Sequence, residues 1–158
     1  MISKKLGTLL EAQVGNELQA SNMYLAIAVW FGEQSLDKWA GFFFRQSEEE
    51  REHAMKIIHF LIEVGHPFSI PAIGAAKANY KDAKAAVTAA MKNEQTVTGQ
   101  FKTMAEACMK EKDFTTFQFI QWFIEEQVEE EATMQKLLDI LSSTSDAREA
   151  ELHLPSGE

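Results

Sequence analysis

The sequence predicts an all-α protein built as a bundle of four long helices, and three observations support this prediction. Apolar residues make up 46% of the 158-residue chain, which is enough for a substantial core. They recur at alternating steps of three and four through four segments, the period of an α-helix. Only three prolines occur, and two of them lie between the second and third segments. We expect one domain over residues 1–158, with the bundle at about 4–142 and a short C-terminal segment at 143–158.

The first two helices are delimited by glycine and turn residues. The first covers about residues 4–32 and ends near Gly32. The second begins after the Ser35 region and runs to Gly65. Because only a few residues separate these helices, we expect them to form an antiparallel hairpin.

The third and fourth helices should form a second hairpin. They are predicted at about residues 80–111 and 114–142, with Asp113 as the N-cap of the fourth. Between the hairpins lies HPFSIPAIGAAKANY, a loop whose 15 residues can reach ~50 Å at ~3.3 Å per extended residue. That length is enough to return along a helix of ~42 Å. The prediction is therefore a bundle with one long crossover between helices two and three.

The C-terminal segment begins with the sequence SSTS and is predominantly polar. We expect it to contain one short helix at Asp146–His153.

The composition argues against several classes of function. A formal net charge of −9 does not suit a nucleic-acid surface and favours cations as partners. No apolar run approaches the ~20 residues that span a bilayer, and the N-terminal apolar stretch ends at Glu11, too early for a secretory signal. The single Cys108 excludes an internal disulfide framework and a cysteine-based zinc site. We therefore expect a cytoplasmic protein without nucleic-acid or membrane partners.

One glutamate falls on the predicted apolar face of each helix. These residues are Glu17, Glu50, Glu94 and Glu130. Each lies roughly 13 to 17 residues from the start of its helix, or ~20–25 Å along the axis, so the four carboxylates should meet in one layer of the bundle. His53 follows Glu50 by three residues and shares its apolar face.

The negative charge of four carboxylates in an apolar interior must be balanced by protons or by positive charge. Burying one charge costs several kcal/mol even after relaxation, and like charges repel each other. No Lys or Arg lies on the apolar faces near this layer, so the alternatives are protonation or bound cations. Two divalent ions would balance four glutamates with His53 neutral, and oxygen ligands with one imidazole suit iron or manganese. In that arrangement Glu50 can bridge two metals and His53 can ligate one.

At these residues the chain resembles the ferritin family, specifically its haem-free bacterial members. The resemblance covers nearly all of residues 1–142 and implies a ferritin-like four-helix bundle. Its anchors are NELQASNMYL at 16–25, EEEREH at 48–53, NEQT at 93–96 and QWFIEEQVEEE at 121–131.

The resemblance implies a di-iron ferroxidase centre. The ligands that it implies for the first iron are Glu17, Glu50 and His53, and those for the second are Glu50, Glu94 and Glu130, with Gln127 close to them. Tyr24 would lie beside the centre, bonded to a ligand and available for electron transfer; the alternative is an ordinary core tyrosine bonded to a carboxylate. Trp122 would lie nearby.

The resemblance also implies a third iron site toward the inner surface. Glu49, Glu126 and Glu129 match it, and Glu130 is a candidate for sharing. Without the resemblance these acids would be interpreted as a solvated face, so this site depends on it.

The implied reaction is oxidation of Fe(II) by dioxygen or peroxide, with storage of ferric mineral in a hollow shell of 24 identical subunits. A di-iron oxidase or peroxide-detoxifying enzyme without storage is the alternative, because the C-terminal segment is shorter and more polar than the usual fifth helix. A bundle with protonated core glutamates is a third hypothesis. We expect no haem, since Glu52 stands where haem-binding relatives have methionine. Thr133 also stands where many di-iron oxidases have a second histidine.

Overall fold

Four long helices make up most of the chain in the computed structural model, which describes residues 2–155. They are α1 at Lys4–Gly32, α2 at Asp37–Glu63, α3 at Ala83–Glu111 and α4 at Phe114–Ser143, followed by α5 at Ala147–Ala150 and a 3-10 turn at Glu151–His153. The described part contains no strand, and the all-helical bundle predicted from the sequence is confirmed. No helix within these residues has both the length and the apolar character that crossing a membrane requires.

The helix boundaries are set by capping aspartates at two places. The third helix begins at Ala83 rather than near residue 80, because the Asp82 side chain accepts a hydrogen bond from the Ala85 amide at 2.8 Å. Asp113 caps α4 as predicted, accepting hydrogen bonds from the amide of Thr116 at 2.9 Å and from its hydroxyl at 2.7 Å. The second helix ends at residue 63, slightly before the predicted Gly65.

The connection between the two hairpins is the long crossover predicted from the sequence. Residues 66–80 have no regular secondary structure and run along α1. The Gly74 amide donates to Gln19 Oε1 at 2.9 Å, and Gln19 Nε2 donates to the Gly74 carbonyl at 3.2 Å. Further along, the ring of Tyr80 packs against that of Trp30 at a centroid distance of 5.9 Å. The crossover thereby carries the chain from one end of the bundle to the other.

The core consists of two apolar clusters with a polar layer between them. In one cluster Phe31 stacks against Trp39 at 5.0 Å and against Phe43 at 5.7 Å. In the other, Phe101 stacks against Phe123 at 4.8 Å. Each fully buried apolar side chain contributes about 1.5–3 kcal/mol to folding. This packing on both sides holds the backbone of the polar layer in place.

The C-terminal segment folds back on the start of α2 and supplies the cap that this helix lacks. Leu36 occupies the N-cap position and has no polar side chain to offer. Instead, Glu151 Oε2 accepts hydrogen bonds from the amides of Lys38 at 2.7 Å and Trp39 at 3.4 Å. The Trp39 indole also donates to the Ala147 carbonyl at 2.8 Å. The tail thus satisfies free amides and places a negative charge at a helix N-terminus.

Replacing Glu151 by alanine should lower the free energy of unfolding by about 1 kcal/mol, because two amides at the start of α2 lose their acceptor. Glu48→Ala, at an exposed position within the same helix, is the matched control and should change it by less than about 0.5 kcal/mol. Urea unfolding at one fixed protein concentration measures both. Equal losses in the two variants would contradict the capping role.

Candidate metal centre

The four core glutamates and His53 lie in one buried layer of the bundle. Exposure is 0% for Glu17 and Glu94, 1% for Glu50, 3% for Glu130 and 4% for His53. Each helix provides one carboxylate because the glutamate replaces an apolar residue in the three-and-four repeat of the buried face. Water is therefore largely excluded from all five side chains.

Two overlapping groups of ligand atoms form in this layer. Glu17, Glu50 and His53 each offer one atom within 4.8 Å of the others, and Glu50, Glu94 and Glu130 do the same. Glu50 belongs to both groups. The arrangement can therefore hold two neighbouring cations with the Glu50 carboxylate between them.

The donor atoms of the layer fit metal ions. Four buried atoms of this layer have no hydrogen-bond partner within residues 2–155: Glu17 Oε2, Glu50 Oε1, His53 Nδ1 and Glu130 Oε2. Leaving a buried polar atom unpaired costs about 1–3 kcal/mol, and more for a charged group. Carboxylate oxygens with one imidazole nitrogen are ligands suited to iron or manganese. A pair of such ions would satisfy the donor atoms that the fold leaves unpaired.

Hydrogen bonds orient two of the carboxylates. Gln13 Nε2 donates to Glu17 Oε1 at 3.0 Å, which leaves Glu17 Oε2 free. The Tyr24 hydroxyl donates to Glu94 Oε1, and Gln127 Nε2 donates to Glu94 Oε2 at 3.0 Å. A carboxylate oxygen can accept more than one bond, so Glu94 retains capacity for a metal. Tyr24 and Gln127 thus both lie against the layer and contact Glu94.

Burial and mutual repulsion shift the pKa values of the clustered glutamates. Burial, and after it the charge of Glu94, raises the pKa of Glu50 well above its usual value and that of Glu130 to about 9. Burial opposes ionisation of Glu17 as well, but its close contacts with His53 and Glu50 lower its pKa overall. The Nδ1 atom of His53 lies 3.7 Å from Glu17 Oε2 and 3.3 Å from Glu50 Oε2. Without metal, the raised pKa values favour protons on Glu50 and Glu130, which reduces the negative charge of the layer.

A solvent-open pocket of about 510 Å³ adjoins the buried layer between α2 and α4. It is lined by Gln46, Glu49, Glu52, His53, Lys56, Trp122, Glu126, Glu129, Glu130 and Thr133. The three acids predicted for a third site all line it. His53, Glu126 and Glu130 offer ligand atoms within 4.8 Å of one another, a group that includes neither Glu49 nor Glu129. This pocket between α2 and α4 is the acidic pocket.

Three α2 side chains of the acidic pocket were not predicted as part of a site: Gln46, Glu52 and Lys56. Their spacing in the sequence from Glu49 and His53 could have identified them, because it places all of them along one side of α2. Trp122, predicted to lie nearby, packs its ring edgewise against the His53 ring at 5.5 Å.

Comparison with known proteins finds consistent similarity along the chain. A family model described as a ferritin-like domain matches residues 7–144. The bacterial non-heme ferritin of Campylobacter jejuni is 34% identical over 139 residues, covering 88% of this chain and 83% of that protein. That of Staphylococcus haemolyticus is 34% identical over 146 residues, covering 92% and 88%. An open pore ferritin from the hyperthermophilic archaeon Archaeoglobus fulgidus has a TM-score of 0.93 at 31% identity, covering 97% of this chain and 94% of that one.

Proposed function

The chain belongs to the ferritin family, and from this premise we propose that it oxidises Fe(II) at the buried layer and stores the ferric product. Membership of the family and the fold support iron storage. The oxidation step is supported chiefly by one observation: two groups of ligand atoms share Glu50 and contain carboxylate oxygens that the protein leaves unpaired.

Fe(II) is the substrate of the proposed reaction. One ion would lie at Glu17, Glu50 and His53, and the other at Glu50, Glu94 and Glu130. Anionic oxygens in a dry site stabilise Fe(III) more than Fe(II), because the interaction grows with the charge of the ion. Each ion gives up one electron. The pair supplies the two electrons that, with two protons from solvent, reduce dioxygen to hydrogen peroxide or hydrogen peroxide to two water molecules.

Iron binding must displace protons that the metal-free layer holds. Glu50 and Glu130 have raised pKa values and must release protons before both can act as anionic ligands. His53 must be neutral to offer a lone pair, although its contact with Glu17 raises its pKa against the effect of burial. Binding of Fe(II) should therefore release protons and weaken as the solution becomes more acidic.

Tyr24 and Gln127 act on the centre through Glu94 in this proposal. Their hydrogen bonds fix the orientation of both Glu94 oxygens. Tyr24 also lies close enough to the layer to supply an electron; the alternative is that it only positions the carboxylate.

The acidic pocket is the proposed third iron site and the route to the buried layer. Glu49, Glu126 and Glu129 line it, while His53 and Glu130 face both the pocket and the layer. An ion held at the pocket would therefore need to pass only these shared ligands to reach the centre.

Addition of Fe(II) to the protein in air tests the proposed function. The expected result is a rapid rise in ferric absorbance, faster than in buffer alone. The iron should then elute with the protein at about 430 kDa, which is 24 times the 17.8 kDa of one chain. Oxidation no faster than in buffer would contradict the ferroxidase proposal.

A di-iron oxidase or peroxide-detoxifying enzyme without storage is the second candidate, because the C-terminal helix α5 is only four residues long. It predicts oxidation with no iron retained after gel filtration. Elution of the protein as a monomer or dimer would favour this second candidate over storage.

A further inference from the structure

One lysine lines the acidic pocket. Lys56 extends from α2 across to α4, where its Nζ lies 3.7 Å from the centroid of the Trp122 ring. The Trp122 ring in turn packs edgewise against His53 at 5.5 Å. A cation over an exposed aromatic ring is favoured roughly two- to fivefold over the undocked side chain. The ammonium group therefore lies against the Trp122 ring on the pocket wall for most of the time.

The charge of Lys56 is opposite in sign to that of the glutamates that line the pocket. Five glutamates line it, at positions 49, 52, 126, 129 and 130, and Lys56 is the one Lys or Arg among the described lining residues. Glu130 and His53 are more than nine-tenths buried, and each has an atom without a hydrogen-bond partner in the described chain. The pocket thus has the features of a cation site, with one positive charge on its wall.

We propose that Lys56 is an internal counter-ion that weakens cation binding in the acidic pocket, and weakens trivalent binding more than divalent binding. This rests on the proposed function in one respect, that the pocket takes up iron. The repulsion between the ammonium group and a bound ion is proportional to the charge of the ion. Lys56 therefore discriminates against ferric ions remaining in the pocket and keeps it open for Fe(II).

Terbium luminescence tests the proposal on the whole protein. Tb³⁺ is a hard trivalent cation that binds carboxylate oxygens, and its emission rises when a nearby tryptophan is excited. Trp122 lines the pocket, whereas Trp30 and Trp39 lie in the apolar cluster around Phe31. Mn²⁺ binding is measured by displacement of Tb³⁺.

Removing the charge with Lys56→Gln should tighten Tb³⁺ binding roughly tenfold and Mn²⁺ binding about fivefold, as expected if the effect scales with ion charge. Lys56→Arg keeps the charge and the stacking and should stay within about twofold of wild type. Lys136→Gln removes a charge from an exposed position of α4 outside the pocket and is the matched control. Glu126→Gln should weaken the Tb³⁺ binding that Lys56→Gln tightens, and so assign that binding to the pocket.

Three outcomes would overturn the proposal: no tightening in Lys56→Gln, the same tightening in Lys136→Gln, or Tb³⁺ binding that is unchanged in Glu126→Gln. Equal tightening for Tb³⁺ and Mn²⁺ would overturn the discrimination by charge. The result is independent of the oxidation assay. If the protein fails to oxidise Fe(II) yet Lys56→Gln tightens Tb³⁺ binding, the ferroxidase proposal falls and the role of Lys56 stands.

Discussion

Replacing Glu50 by alanine should slow aerobic Fe(II) oxidation by about a hundredfold or more, a loss of the size seen when a preorganised charged group is removed from a reacting centre. Glu50 is the residue that the two buried ligand groups share, so its removal takes an oxygen from both proposed ions. The initial rise of ferric absorbance, with iron supplied at two ions per chain, measures this loss.

Two further variants separate chemistry from folding. Glu50→Gln keeps the size of the side chain but cannot carry its negative charge, so it should also lose most of the activity. Glu48→Ala lies two residues away on the exposed side of α2 and should keep the wild-type rate. Circular dichroism and gel filtration confirm that each variant is folded and assembled. A wild-type rate in a folded Glu50→Ala protein would remove the ligand role that we propose for this residue.

The buried layer could be predicted from the sequence because each helix is long and repeats its buried face every three to four residues. Glu17, Glu50, Glu94 and Glu130 occur in that repeat between apolar residues, and a helix that buries those neighbours buries the glutamate too. The common height of the four acids followed from their similar distances from the helix ends. For this layer, the helical periodicity of the sequence was sufficient to predict which glutamates are buried.

The acidic pocket required tertiary information. Lys56 and Glu52 lie beside the apolar face of α2, where the same sequence pattern fits a solvated surface. The residues of α4 that these side chains face depend on the separation of α2 and α4. That separation is set by contacts such as the stacking of Phe60 on Phe119 at a centroid distance of 3.9 Å. The contact between Lys56 and Trp122 could not be read from either helix alone.

The capping of α2 was equally inaccessible to sequence reasoning. Glu151 lies more than 110 residues from the amides of Lys38 and Trp39 that it accepts hydrogen bonds from. No local pattern links these positions. The short C-terminal helix was predicted, but its packing partner was not.

In metal-free protein, Glu130→Gln should raise the free energy of unfolding at neutral pH by about 1–3 kcal/mol. Burial, followed by the charge of Glu94, raises the pKa of Glu130 from 4.5 to about 9. The folded state therefore binds this proton more tightly than the unfolded chain does. The resulting stabilisation is complete below about pH 4.5 and is lost as the pH rises toward about 9. Glutamine resembles the protonated acid at every pH and does not suffer this loss.

The advantage of Glu130→Gln over wild type should thus be small near pH 4.5, grow with pH and level off above about pH 9. Urea unfolding of chelator-treated protein across this range measures it. Glu125→Gln, at an exposed position of the same helix, is the control and should change stability by less than about 0.5 kcal/mol. Divalent metal should reverse the order, because it stabilises only a folded state that binds it and the variant lacks one carboxylate ligand. A stability difference that is independent of pH, or that persists unchanged when metal is added, would show that Glu130 is not an ionisable ligand facing the buried layer.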